Sequence, residues 1–365
     1  MLFYGQSITR QDWWREVAAD LRTRFPGTDL RIENRSIGGY STQFPIRSME
    51  ADILPFHPDL IIFHDYGAED LHERIIRWIR SNTTAEVLLQ SGHVVWLPGL
   101  ARKYGPGLVN IRGGWREHLQ SQRLSPRDLL RDSVHLNRKG EALYAAITKR
   151  YLVGPAQRMP TNSAKELQPR FRGGKLDLDF DGSRVELVDL KGATVDVWID
   201  GKRAAGHPEL YYHARSTSTW DADWPTVMRV GHVAPLQTEE WVLKVIERNE
   251  AGTEFQFELY GSITGLDGTG SSIEKFVSRS GRVVLEPADY DVLRSYGLHK
   301  IAMPGGWQIR RSGLPRFTDP VLPGSSAQTI VYGLKNGPHH LTLPAPKGSQ
   351  PSVEKIRVYQ PGSLG

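Results

Sequence analysis

The sequence predicts an α/β domain built on a parallel sheet, followed by an antiparallel β domain. Three observations predict it. Over residues 1–153, short apolar runs alternate with segments of helical periodicity, the pattern of strands covered by helices. Across residues 154–172 that pattern dissolves into Pro, Gln, Asn, Ser and Arg, which reads as a linker. Over residues 173–365 the apolar period falls to two, and turn residues recur between the alternating runs.

In the first domain, Leu2–Tyr4 reads as the opening strand. Trp13, Trp14, Val17, Leu21 and Phe25 then recur at helical spacing and stop at Pro26-Gly27. Leu30–Glu33 reads as a second strand leading into Asn34-Arg35-Ser36-Ile37-Gly38-Gly39. Leu60–His64 is apolar almost throughout, as expected of a central parallel strand buried on both faces. Tyr66-Gly67-Ala68-Glu69-Asp70 follows it, then a helix through Leu71, Ile75, Ile76 and Ile79. Glu86–Gln90 and Leu108–Ile111 supply the fourth and fifth strands, and Glu141–Leu152 a closing helix. The glycine and polar clusters all follow strands, the edge at which open α/β sheets bind ligands.

In the second domain, Leu176, Leu178 and Phe180 alternate with Asp177, Asp179 and Asp181, and Gly182 is expected to turn the chain into Val185–Val188. Further strands are expected at Thr194–Ile199, Glu240–Ile246, Glu254–Tyr260, Arg282–Leu285, His340–Leu343 and Glu354–Tyr359. Asp200-Gly201, Glu250-Ala251-Gly252 and Asn336-Gly337 carry turn chemistry. The expectation is one antiparallel β-sandwich with an irregular excursion between Ala204 and Thr238.

Composition narrows the function classes. The 365 residues are 39% hydrophobic and 24% charged, ordinary for a globular protein. The net charge of +5 is scattered among acidic residues rather than gathered in a basic, aromatic-laced block, which argues against nucleic acid as a partner. The absence of cysteine excludes disulfides, thiolate metal sites and cysteine nucleophiles. No apolar run approaches membrane-spanning length, and no cationic stretch with an apolar core opens the chain. Read as it stands the sequence implies a cytoplasmic protein; a trimmed upstream segment would make it secreted or periplasmic.

Candidate chemistry lies at the two ends of the first domain. Ser7 follows the opening strand and precedes a helical pattern, so its hydroxyl is expected at the mouth of the sheet. Asp132 and His135 stand three residues apart, just before the closing helix, and one loop can present both. A serine hydroxyl is a weak nucleophile at neutral pH; a histidine that takes its proton, oriented by a carboxylate, removes that obstacle.

The order Gly5-Gln6-Ser7-Ile8-Thr9, Asn34-x-x-x-Gly38-Gly39, Tyr66-Gly67-Ala68-Glu69-Asp70 and Asp132-x-x-His135-Leu136-Asn137 resembles the four sequence blocks of SGNH (GDSL-type) hydrolases. By that resemblance the fold of residues 1–153 would be flavodoxin-like, with three α/β/α layers, and the activity ester hydrolysis. Ser7 would be the nucleophile, His135 the general base and acid, and Asp132 its orienting carboxylate. The backbone N–H groups of Ser7 and Gly39 would form the oxyanion hole. No cofactor is implied. Two departures stand out. Gln6 replaces the usual aspartate, as it does in a related branch of carbohydrate acetylesterases. Glu69 stands where the family carries an asparagine that donates to the oxyanion, and removal of one such donor typically costs about 10²–10³ in rate. The third donor is therefore unassigned: the peptide N–H of Gly67, Tyr66, or none, with Glu69 turned away.

Other motifs support blander readings. Asp177-x-Asp179-x-Asp181-Gly182 imitates an EF-hand loop, but Val188 sits where the bidentate glutamate belongs. Gly265-Leu266-Asp267-Gly268-Thr269-Gly270 reads as a surface loop, because no helix follows it. His93 is placed to line a cleft, His64 to pack in the core, and His339-His340 to face opposite sides of a strand, so no metal site is expected. Trp220, Trp224, Tyr211 and Tyr212 could stack on sugar rings or pack a loop onto the sandwich. Gly182–Leu187 and Thr194–Gly201 resemble jelly-roll domains that accompany some carbohydrate esterases; with the SGNH resemblance, this implies an esterase removing acetyl or other short acyl groups from a carbohydrate. Gln6, Tyr66, Glu69 and His93 are its candidate substrate contacts. The alternative is a catalytically degenerate relative that binds carbohydrate or serves as a scaffold; a third reading is altered chemistry on acidic sugars.

Overall fold

The computed structural model describes residues 1–154, 164–216, 226–292, 306–323 and 326–362. Trp220 and Trp224 fall outside the described residues. The chain divides into two compact units, one of Met1–Met49, Phe56–Asn162 and Gly362–Gly365, the other of Glu50–Pro55 and Ser163–Pro361.

The first unit holds five parallel strands, β1 (Leu2–Gly5), β2 (Glu33–Asn34), β3 (Leu60–His64), β4 (Glu86–Gln90) and β5 (Gly107–Val109), in the order β2-β1-β3-β4-β5. The helices are α1 (Ser7–Arg10), α2 (Trp13–Arg24), α3 (Pro45–Ile53), α4 (Glu69–Asn82), α5 (Leu97–Tyr104), α6 (Ile111–Gln122) and α7 (Arg138–Leu152). This is the doubly wound, flavodoxin-like order, whose strand sequence reverses direction between β1 and β3. Side chains from both faces of the strands are buried: Phe3, Ile62 and Leu88 join α2 and α7 residues in one core cluster, while Tyr4, Ile61, Phe63, Val87 and Leu89 are also buried. Trp13 anchors that cluster. Its ring meets Phe3 edge-on at 5.4 Å and lies 4.8 Å from Tyr144, and its Nε1 donates to the Ile8 carbonyl at 2.7 Å. The second strand is shorter than its apolar pattern implies, and only Glu33 and Asn34 enter the ladder.

The second unit is antiparallel, as expected. A six-stranded sheet contains Lys175–Val188, Ala327–Pro344 and Lys355–Tyr359; a five-stranded sheet contains Tyr211–Arg215, Glu239–Arg248, Phe255–Gly261, Gly265–Ser271 and Gln308–Pro315. Their buried apolar residues form two clusters, one centred on Leu176, Val185, Ile330 and Leu341, the other on Trp241, Phe257 and Ile309. Five local expectations differ. Of Thr194–Ile199 only Trp198 and Ile199 form a strand. Gly182 is no turn but lies inside the continuous strand Lys175–Val188, where a Cβ would come 2.6 Å from the Tyr359 carbonyl oxygen. Asn336-Gly337 sits within Ala327–Pro344, at a shift of register rather than a hairpin. Gly265–Ser271 is a strand paired with Phe255–Gly261, not a loop. Ala164–Leu167, inside the expected linker, pairs with Lys355–Tyr359.

Among the described residues no helix is long and apolar enough to cross a membrane.

Candidate active site

Ser7 owes its position to the turn between β1 and α1. Gly5 has φ +148°, and its pairing with His64 is so close that a Cβ would lie 1.9 Å from the His64 carbonyl oxygen. Only glycine accommodates both the backbone angle and that approach. Gln6 then caps α1: its side-chain oxygen accepts from the Ile8 N–H at 3.4 Å. The Ser7 hydroxyl emerges at the C-terminal edge of β1, beside the switch point of the sheet.

The partners arrive from the loop before α7. The His135 Nε2 lies 3.0 Å from the Ser7 Oγ, and its Nδ1 donates to the Asp132 Oδ2 at 2.9 Å. The Asp132 Oδ1 accepts from the backbone N–H groups of Val134 and His135 at 2.8 and 2.7 Å. These bonds, the His135 N–H first, then Val134 and the imidazole, hold the Asp132 carboxyl well below the ordinary carboxylate range. Asp132 is therefore ionised at neutral pH, and it fixes the imidazole proton on Nδ1. The Nε2 lone pair then faces the serine hydroxyl, an arrangement able to take up the hydroxyl proton.

The loop itself is tied down. The Arg131 N–H bonds the His135 carbonyl at 2.9 Å, and Asn137 caps α7 by accepting from Lys139 and Gly140. Gln11 holds Leu136 at both its backbone groups, accepting from its N–H at 3.0 Å and donating to its carbonyl at 2.8 Å. Sequence reasoning misses Gln11, whose only sign is a polar residue between two helical segments.

The second block lies along the same edge. The Asn34 side chain donates to the Thr9 carbonyl at 2.7 Å and accepts from the Ser36 N–H at 2.9 Å. Gly38 runs beside the serine, since a Cβ there would lie 3.6 Å from the Ser7 Cβ, and Gly39 follows with φ +80°. In the third block, Glu69 is the first residue of α4 and is exposed. Tyr66 and His93 are exposed at the ends of β3 and β4, their rings 6.3 Å apart. Gln6 departs from its expected place as a substrate contact. It is only 3% exposed, with its oxygen accepting from Ser7 at 2.7 Å and its nitrogen 3.4 Å from the His64 Nδ1. The amide is directed inward. Burial lowers the His64 pKa to about 4, with His72 and His93 acting in the same direction, so its ring is neutral.

An α/β unit of this strand order, with serine, imidazole and carboxylate joined at its switch point, has the architecture on which hydrolytic chemistry is built. Solved structures similar to the chain include the following. A two-domain esterase active on acetylated mannans is 15% identical, with 100% of this chain and 91% of that one covered and a TM-score of 0.40. An acetylxylan esterase from Geobacillus stearothermophilus is 15% identical over 43% of this chain and 96% of that one, TM-score 0.39. A putative GDSL-like lipase from Parabacteroides merdae is 15% identical over 40% and 91%, TM-score 0.36. No family model matches the chain, and no curated protein matches it.

Proposed function

We propose that the protein is a serine ester hydrolase that removes acetyl or other short acyl groups from a carbohydrate. The observation that carries this reading is the unbroken hydrogen-bonded chain from Ser7 through His135 to Asp132. Ser7 attacks the acyl carbonyl while His135 takes the hydroxyl proton on Nε2. The tetrahedral oxyanion is held by the backbone N–H groups of Ser7 and Gly39. His135 then protonates the departing sugar oxygen, leaving an acyl-serine. Water, deprotonated by the same imidazole, attacks that ester, and the proton returns to the Ser7 Oγ as the acid leaves. Asp132 keeps its charge throughout and stabilises the imidazolium. The carbohydrate half of the proposal is supported by the Gly5-Gln6-Ser7 block and by the exposed Tyr66–His93 pair, which offers aromatic surface to a sugar. Residues 1–153 would form the catalytic domain and residues 173–365 an accessory one.

The test is twofold. The wild-type protein should react with a fluorophosphonate at Ser7 and hydrolyse p-nitrophenyl acetate, and Ser7→Ala should do neither while keeping its fold. A screen of acetylated glycans against short- and medium-chain nitrophenyl esters then defines the substrate. Failure of the folded wild type to label would overturn the hydrolase reading in favour of a silent binding protein.

A further inference from the structure

The Ser7 hydroxyl has two acceptors and one proton. The Gln6 Oε1 stands 2.7 Å from its oxygen and the His135 Nε2 3.0 Å. The orientation of the Gln6 amide follows from its neighbours. The Ile8 N–H is an obligate donor, so the atom facing it is the oxygen. The Gln6 Nε2 then faces the His64 Nδ1, 3.4 Å away and equally distant from the Thr9 Oγ1, and donates to it when that nitrogen carries no proton. His64 is 6% exposed and Thr9, whose Oγ1 donates to the His64 carbonyl at 3.2 Å, is fully buried, so this arm is shielded from bulk water. Rotating the Gln6 amide by half a turn would set its NH₂ against the Ile8 N–H and its oxygen against the His64 lone pair.

We infer that Gln6 is a positioning residue for the nucleophile, and that His64 acts through it by holding the Gln6 amide with its oxygen toward Ser7. The inference rests on the ester hydrolase reading. Its content is geometric. When His135 is neutral, the serine proton is shared between the Gln6 Oε1 and the His135 Nε2. While His135 carries the proton taken during attack, the Ser7 Oγ is bonded to the acyl carbon and has no proton; when that proton returns at the end of the cycle, the regenerated hydroxyl again meets both acceptors. The Ser7 Oγ is therefore held between the two groups before attack and again after the acid leaves. Without Gln6 the hydroxyl is held from one side only, and turns away from the attack direction for part of the time.

The test is a double-mutant cycle read as kcat and KM on p-nitrophenyl acetate. Gln6→Met removes the acceptor at nearly constant volume; His64→Phe removes the group that orients it; His64→Asn restores an acceptor near the position of Nδ1. Loss of one hydrogen bond at the reacting oxygen should lower kcat about 10- to 100-fold in Gln6→Met, with KM within about twofold. His64→Phe should lower kcat about tenfold and His64→Asn should recover most of that loss. The double variant Gln6→Met/His64→Phe should be no slower than Gln6→Met alone, because His64 has nothing left to orient. Multiplying losses, or a Gln6→Met enzyme with unchanged kcat, would overturn the inference. Ring ¹⁵N shifts of His64 in the wild-type protein supply a readout independent of turnover: Nδ1 should be unprotonated and Nε2 protonated, and a protonated Nδ1 also overturns it. A folded wild type that neither labels nor hydrolyses sinks the hydrolase reading instead, and the ¹⁵N measurement then decides the Gln6–His64 geometry by itself.

Discussion

Replacing Asp132 by asparagine changes one oxygen to nitrogen, yet the hydrogen bonds around it make the consequence severe. Two backbone donors, the N–H groups of Val134 and His135, converge on Oδ1 at 2.8 and 2.7 Å. An asparagine must leave its oxygen there, because its NH₂ cannot accept from either. The nitrogen then takes the place of Oδ2, 2.9 Å from the His135 Nδ1. It donates to that atom, so the imidazole proton moves to Nε2 and points at the Ser7 oxygen 3.0 Å away. The base now presents a hydrogen where it needs a lone pair. A wrong-tautomer imidazole of this kind costs about 10⁴ in kcat. Loss of the imidazole in His135→Ala should cost more, on the order of 10⁶. The assay is steady-state hydrolysis of p-nitrophenyl acetate, with active-site titration to exclude wild-type contamination and thermal unfolding to check the fold. Both backbone bonds to residue 132 survive in the asparagine variant, so its melting temperature should stay close to that of the wild type. An Asp132→Asn enzyme within about tenfold of wild-type kcat would refute the tautomer argument.

Three further outcomes are expected. Gly5→Ala must find room for a methyl 1.9 Å from the His64 carbonyl oxygen at φ +148°, so it should lower stability by more than about 2 kcal/mol in urea unfolding, or prevent folding. Gln11→Leu strips both partners from the Leu136 backbone beside His135, and should reduce kcat about tenfold with KM little changed. On acidification, His64 and His72 should weaken the first unit, because burial keeps each neutral until about pH 4. An unfolded histidine takes its proton near pH 6.5, so between those values the unfolded chain binds more protons and stability falls as pH falls. The slope is about 1.4 kcal/mol per pH unit for each histidine, and urea titrations of the His64→Phe variant should show the total slope lower by that amount.

Much of the first unit was legible because its signals are local. Leu60–His64 and Glu86–Gln90 occupy the strands their apolar runs imply, since a buried parallel strand needs apolar residues on both faces. The convergence of Ser7, Asp132 and His135 was legible for a related reason: each follows a strand or precedes a helix whose place in the sheet is set by topology. Glycines in the second unit misled, because a glycine serves either to turn the chain or to let something approach. Gly182 makes room for the Tyr359 carbonyl, and Gly270 for the rings of Phe276 and Phe257. Those neighbours are distant in sequence or invisible to local pattern, so turn propensity was the only signal on view. The Gln6–His64 arm was illegible on the same grounds, as the two residues meet through strand pairing across 58 positions.

The contact between Ser7 and His135 spans 128 residues. A chain emerging from the ribosome therefore displays its serine long before any base exists to sharpen it. On the proposed function, the nucleophile is completed only when the segment before α7 meets β1. Recovery of serine labelling during refolding would then time the closure of the whole first unit.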